Sequence, residues 1–181
     1  VEEEVADPQY NTVRYSFVTP RGTLTTVLQS NEFTSWVAER LVKKSTDVEL
    51  IAEFAPVALC DVAAVNRAAD DYGDRGMIRG HIATFDVYGQ PGCWQDASVL
   101  FGIEDLIMAT YEDPSWVHQF LGILRDRKAA YIRSLAGAKY DLLELGGGDA
   151  STTVISPKIF ASYVAPYDAE LIALAHETGQ K

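Results

Sequence analysis

The chain has 181 residues, 48% of them hydrophobic, enough for one domain with a sizeable core. Fifteen Lys and Arg against 26 Asp and Glu give a net charge of −11, which argues against nucleic acid and against an anionic membrane as partners. A small anionic substrate stays admissible, because a site needs only a few local cations. The two cysteines, Cys60 and Cys93, are isolated and form no C-x-x-C, so neither a zinc ribbon nor a redox pair is encoded. No apolar run approaches the ~18–20 residues needed to span a bilayer. The acidic start, Val1-Glu2-Glu3-Glu4, is unlike a signal peptide, and a cytoplasmic location is expected. The missing initiator Met fits a truncated start.

Residues 1–45 read as a hairpin decoration. Val13, Tyr15 and Phe17 alternate with Arg14 and Ser16, Pro20-Arg21-Gly22 turns the chain, and Leu24 to Leu28 returns. Residues 46–181 read as βα units. Thr46-Asp47-Val48-Glu49 matches a capping box. Asp61 caps a second helix with Val62, Val65 and Ala69 on one face, ending near Gly73. Residues 77–85 form a strand with Ile78 and Ile82 on one face and Arg79 and His81 on the other. Residues 89–94 are a loop, and a short helix follows from about Ile103 to Tyr111. Asp113-Pro114 opens a long helix bearing Val117, Leu121, Leu124 and Tyr131, which ends at Gly137. Residues 140–145 form a short buried strand, and Gly146-Gly147-Gly148-Asp149 leaves it as a flexible loop. Ser156-Pro157 opens a last helix that Pro166 breaks or restarts and Gly179 stops.

Strand, helices, strand, helix is the order of parallel α/β pairing. The chain is shorter than the ~250 residues of a complete (β/α)8 barrel, so the expected fold is a partial TIM barrel, cut at both ends, with an N-terminal hairpin. Chemistry in such a barrel sits at the C-terminal ends of the strands. His81 is divided between a functional role and a structural hydrogen bond. Arg79, placed deeper in the strand, is expected in a buried structural ion pair. Glu144 ends its strand, and Asp149 and Ser151 follow the glycines, which permit close backbone approach to a ligand. Asp149 could act as a general base or a hydrogen-bond acceptor; the alternative is that Asp149 and Ser151 only shape a turn. The glycine run is neither a phosphate loop nor a dinucleotide fingerprint. His118 and His176 read as surface histidines, and Trp36, Trp94 and Trp116 as packing residues. No Ser-His-Asp order or G-x-S-x-G elbow is present.

Four segments together resemble the uroporphyrinogen decarboxylase superfamily. Thr19-Pro20-Arg21-Gly22-Thr23-Leu24 is similar to its T-P-x-G-x-L hairpin. Gly89-Gln90-Pro91, with Phe101-Gly102 and Glu104-Asp105-Leu106, is similar to its G-x-P…G-x-E-x-L region. Glu112-Asp113-Pro114 and the helix after it match a further segment. Glu144, Gly148-Asp149-Ala150-Ser151, Ile155-Ser156-Pro157, Phe160, Tyr163 and Pro166-Tyr167 carry the most specific likeness. The resemblance implies two chemistries: cofactor-free decarboxylation of a tetrapyrrole, and methyl transfer between a corrinoid and a thiol activated by zinc.

Where the family's decarboxylases carry P-W-T-L and then a Tyr, this chain has Pro91-Gly92-Cys93-Trp94-Gln95-Asp96, with Ala97 or Ser98 near the Tyr position. The methyltransferase-like branch is therefore favoured, with decarboxylation the alternative and a non-catalytic corrinoid-binding relative the third reading. Their places at the strand exits make His81 and Asp149 the catalytic candidates and Glu144 and Ser151 substrate-binding ones, and the family's Tyr position adds Ser98 to the latter. No metal ligands are expected in these residues; zinc would belong to the full-length protein, whose His-x-Cys motif falls after Lys181 in the family pattern. The expected partners are a tetrapyrrole or a corrinoid and thiol, with a corrinoid protein and a homodimer both admitted.

Overall fold

The computed structural model describes residues 1–82 and 90–181. It is mixed α/β with two sheets, and no barrel closes among the described residues. The first sheet is an antiparallel meander of four strands: β1 (Glu2–Val5), β2 (Asn11–Thr19), β3 (Gly22–Ser30) and β4 (Ser35–Glu39), in the order β1-β2-β3-β4. The expected hairpin is its centre, with Thr19 paired to Gly22 across the Pro20-Arg21 turn. The acidic start of the chain is not a tail: Glu2, Glu3 and Glu4 pair with Tyr15, Arg14 and Val13.

Helix α1 (Asp47–Phe54) follows, and the expected capping box does not form. Thr46 makes no side-chain cap; the buried Asp47 instead turns back, its Oδ2 accepting from the Lys43 and Lys44 amides at 2.9 and 3.2 Å. Helix α2 (Val62–Tyr72) is capped as expected, Asp61 accepting from the Ala64 amide, and ends on Gly73.

Strand β5 (Arg79–His81) is shorter than the strand read over 77–85, whose last three residues lie outside the described ones. It pairs in parallel with β6 (Leu142–Glu144), in the register Arg79↔Leu142, Gly80↔Leu143, His81↔Glu144. This is the parallel pairing that the alternation of elements implies. On the far side of β6, the Leu143 amide donates to the Lys181 carbonyl at 2.7 Å.

Between the two strands lie α3 (Cys93–Phe101), α4 (Ile103–Glu112) and α5 (Pro114–Ser134). Most of α3 lies where the sequence signals no element. Asp113 caps α5 by accepting from the Trp116 amide at 3.0 Å. The stripe expected on α5 is buried: Val117, Leu121, Leu124 and Tyr131, joined by Phe120 and Ile132. At ~1.5–3 kcal/mol for each large apolar side chain, this helix is the main stabilising element of the core. After β6, Ser156 caps α6 (Pro157–Ile159), a π turn spans Phe160–Val164, and α7 (Ala165–Glu177) completes the chain against α5. One cluster of buried side chains runs from Leu24 of β3 through α1, α3, α4 and α5 to Ala175 of α7. Among the described residues, no helix is long and apolar enough to cross a membrane.

Candidate functional site

The alternation of strand side chains sorts β5. Gly80 and Ile82 are buried, while Arg79 and His81 stand on the opposite, open face. Glu144 of β6 lies on that same face, directly across from His81 in the register. Its Oε2 is 3.4 Å from an Arg79 guanidinium nitrogen and 3.5 Å from His81 Nδ1. These are ion-pair distances, longer than good hydrogen bonds. The ion pair expected for Arg79 therefore exists but is not buried, since the Arg79 side chain is 64% exposed. Among exposed groups such a pair adds little stability, because water screens it. Its consequence is chemical: a guanidinium, an imidazole and a carboxylate share one open patch.

The loop after β6 packs against α3 and the residue before it. The Gly92 amide donates to the Gly146 carbonyl at 3.1 Å, joining the approach to α3 to the exit of β6. A Cβ on Gly92 would sit 3.0 Å from that carbonyl oxygen, so any other residue there would press the two segments apart by a few tenths of an ångström. A short 3-10 turn over Gly148–Ala150 then lays Asp149 against α3.

Three residues of α3 hold Asp149. Gln95 Nε2 donates to Asp149 Oδ2 at 2.9 Å, and Gln95 Oε1 accepts from the Asp149 amide at 2.8 Å. Trp94 Nε1 donates to the Asp149 carbonyl at 3.2 Å. The Ser98 hydroxyl contacts both Asp149 Oδ2 and the Gln95 carbonyl; its single proton serves one at a time, and the charged acceptor is the stronger. Ser98 and Trp94 are only 2% and 1% exposed. Ser98, expected to bind substrate, thus reaches a ligand only through the Asp149 carboxylate. Ser151 stands apart: it is exposed, and its hydroxyl pairs with Thr153 at 2.7 Å, a local turn contact.

Behind α3 lies a buried ion pair that sequence reasoning missed. Lys128 Nζ of α5 donates to Asp96 Oδ2 at 2.9 Å and to the Gln90 carbonyl at 2.6 Å, and the Gln90 amide donates to Asp96 Oδ1 at 3.1 Å. Both side chains are almost fully enclosed. Burial pushes the Asp96 carboxyl up, and Lys128 pulls against it. Nearby, burial raises the Cys93 thiol to about 12 and the Asp168 carboxyl to about 6. Asp168 Oδ1 is buried with no hydrogen-bond partner among the described residues. The only signal for this group in the sequence was a charged residue on the apolar stripe of α5.

His118 is exposed but not without partners. It stacks on Tyr163 at 4.7 Å, and its Nδ1 lies 2.9 Å from the Tyr167 hydroxyl. Two clefts, of about 500 Å³ between α5 and α7 and about 390 Å³ between the N-terminal sheet and α1, contain none of His81, Ser98, Glu144, Asp149 or Ser151. No group of three or more His, Cys, Asp or Glu is placed to hold a metal among the described residues.

Residues 87–181, just over half of the chain, match the family model described as uroporphyrinogen decarboxylase (URO-D). The chain belongs to the URO-D family. The matched span takes in α3 to α7, so every contact of Asp149 described above lies inside the URO-D region, as does Glu144. Arg79 and His81 lie before it. Among curated proteins, none matches this URO-D chain.

Proposed function

We propose that the protein is a URO-D superfamily enzyme of cytoplasmic (β/α) barrel type, transferring a methyl group between a corrinoid and a thiol. One observation carries the reading. Gln95 and Ser98, which stand where the resemblance places the decarboxylase P-W-T-L and Tyr segment, face inward and bond Asp149. The first turns of α3 therefore hold a carboxylate instead of presenting a side chain to a tetrapyrrole. Asp149, fixed at its amide, carbonyl and carboxylate, can accept a hydrogen bond or face developing positive charge without first being ordered. His81 can exchange a proton on the open face, with Glu144 beside it. Thiol activation by zinc needs ligands that the described residues do not supply.

A second reading, decarboxylation of a tetrapyrrole, is favoured by Arg79 and His81, which offer two groups able to bind anionic substituents on that face. A corrinoid protein is the proposed macromolecular partner of the first reading, and a homodimer is compatible with either. The test is to assay the intact protein for methyl transfer from methylcobalamin to a thiol and for decarboxylation of uroporphyrinogen, each with Asp149→Asn alongside. The first activity is expected, lowered ~10²-fold or more by the substitution. Decarboxylation alone would install the second reading. Corrinoid binding with neither activity would leave a non-catalytic relative.

A further inference from the structure

Gln95 binds Asp149 at two points, and its amide can do so in one orientation only. A flipped amide would set its oxygen against the Asp149 carboxylate and its NH2 against the Asp149 amide. Two neighbouring features are shaped around that placement. The first is Gly147, whose φ of 171° is extended backbone that any residue adopts. A Cβ there would lie 2.3 Å from Gln95 Oε1 and 2.4 Å from both Gln95 Cβ and Cγ. Glycine at 147 therefore answers to the Gln95 side chain and not to a backbone requirement. The second is the neighbouring Asp96, locked to Lys128 and Gln90, which fixes the turn of α3 from which Gln95 projects.

We infer that Gln95 is a positioning residue. It sets the Asp149 carboxylate through a two-point amide clamp for which Gly147 leaves room and which the buried Asp96–Lys128 pair holds in place. The inference rests on Asp149 belonging to the working site.

The test compares Gln95→Leu, Gln95→Glu and Gly147→Ala in the intact protein, with Asp149→Asn as reference. Gly147→Ala displaces the clamp without altering either partner, and it carries the test should Gln95→Leu not fold. For both, kcat is expected to fall ~10-fold or more with KM changed less than ~3-fold. Gln95→Glu still accepts from the Asp149 amide but sets carboxylate against carboxylate. Its turnover, low at pH 8, is expected to recover towards the wild type as pH falls and one shared proton restores a donor. Ser98 and Trp94, the other side chains bonded to Asp149, do not titrate in that range. The nearby Asp168 carboxyl, raised to about 6, titrates in wild type and variant alike, so the recovery is read as the ratio of variant to wild-type turnover at each pH.

The Trp94 indole N–H resonance and the exchange rate of the Asp149 amide report the clamp independently of turnover. Both are expected to change in Gly147→Ala. If Asp149→Asn leaves turnover unchanged, the site reading falls and this inference with it. If Asp149→Asn lowers turnover while Gln95→Leu and Gly147→Ala do not, this inference alone falls. If the protein catalyses neither assayed reaction, unchanged Trp94 and Asp149 signals in Gly147→Ala overturn the clamp, and altered ones sustain it.

Discussion

Replacing Asp168 by Asn should stabilise the protein, and only above a defined pH. Asp168 sits in the first turn of α7 with one carboxylate oxygen buried and unpartnered among the described residues. Burial holds its proton until about pH 6, against an ordinary value of 3.8, and Lys128 opposes the shift only in part. The folded chain thus binds this proton more tightly than the unfolded chain. Stability from this group is fully present below pH 3.8, is lost as pH rises through about 6, and stays lost above that. At about 1.4 kcal/mol per pH unit the full penalty is about 3 kcal/mol. Solvent reaches part of the side chain, so about 1–2 kcal/mol is the reasonable figure.

Asn keeps the shape and removes the charge. Urea unfolding at pH 8 should give Asp168→Asn a midpoint gain worth about 1–2 kcal/mol, or a rise of roughly 3–6 °C in Tm for a chain of this size. At pH 4.5 the gain should shrink to about a third. No gain at pH 8, or one of equal size at both pH values, would refute the argument from burial.

Lys128→Met leaves Asp96 enclosed without its cation and should cost about 3–5 kcal/mol at neutral pH, read from the same urea titration. Cys93, 1% exposed with its thiol raised to about 12, should resist an aromatic disulfide reagent until the protein is unfolded, by a spectrophotometric thiol count. Asp113→Ala removes the cap of α5 and should lower stability by about 1 kcal/mol, by thermal melting followed with circular dichroism.

The parts of the fold legible in the sequence are those whose causes are local. Asp61, Asp113 and Ser156 each cap a helix by accepting from an amide three residues on, so a short window contains both partners. The α5 stripe was legible for the same reason. Helix α3 was not, because its N-cap is Gly92 with no side chain to signal a start. Its polar residues Gln95, Asp96 and Ser98 also look like surface. Their partners lie 54, 32 and 51 residues away, and only the folded chain brings them together. The glycine run hid its contacts in the same manner: Gly146 and Gly147 lie against Gly92 and Gln95, which are far away in sequence. Alternation put Arg79 and His81 on one face, but the register that sets Glu144 opposite His81 joins residues 63 apart and is seen only in the folded pair. The openness of Arg79 was not legible either, because alternation assigns a face and says nothing of what covers it.

The π turn at Phe160–Val164 explains how Pro166 stays inside a helix. Proline supplies no amide proton and its ring crowds the carbonyl four residues back. Here the chain widens just before it, with the Ala165 amide reaching back to the Phe160 carbonyl, five residues away instead of four. The extra residue held in that turn shifts the helical phase once. Buried Ile159 before the turn and Leu171 and Ala175 after it then meet one core despite the interruption. For anyone aligning this chain with relatives, the turn is where a one-residue gap is structurally cheapest. Removing a residue there, together with replacing Pro166, restores a continuous α-helix, whereas a deletion between 167 and 175 would turn Leu171 or Ala175 out of the core.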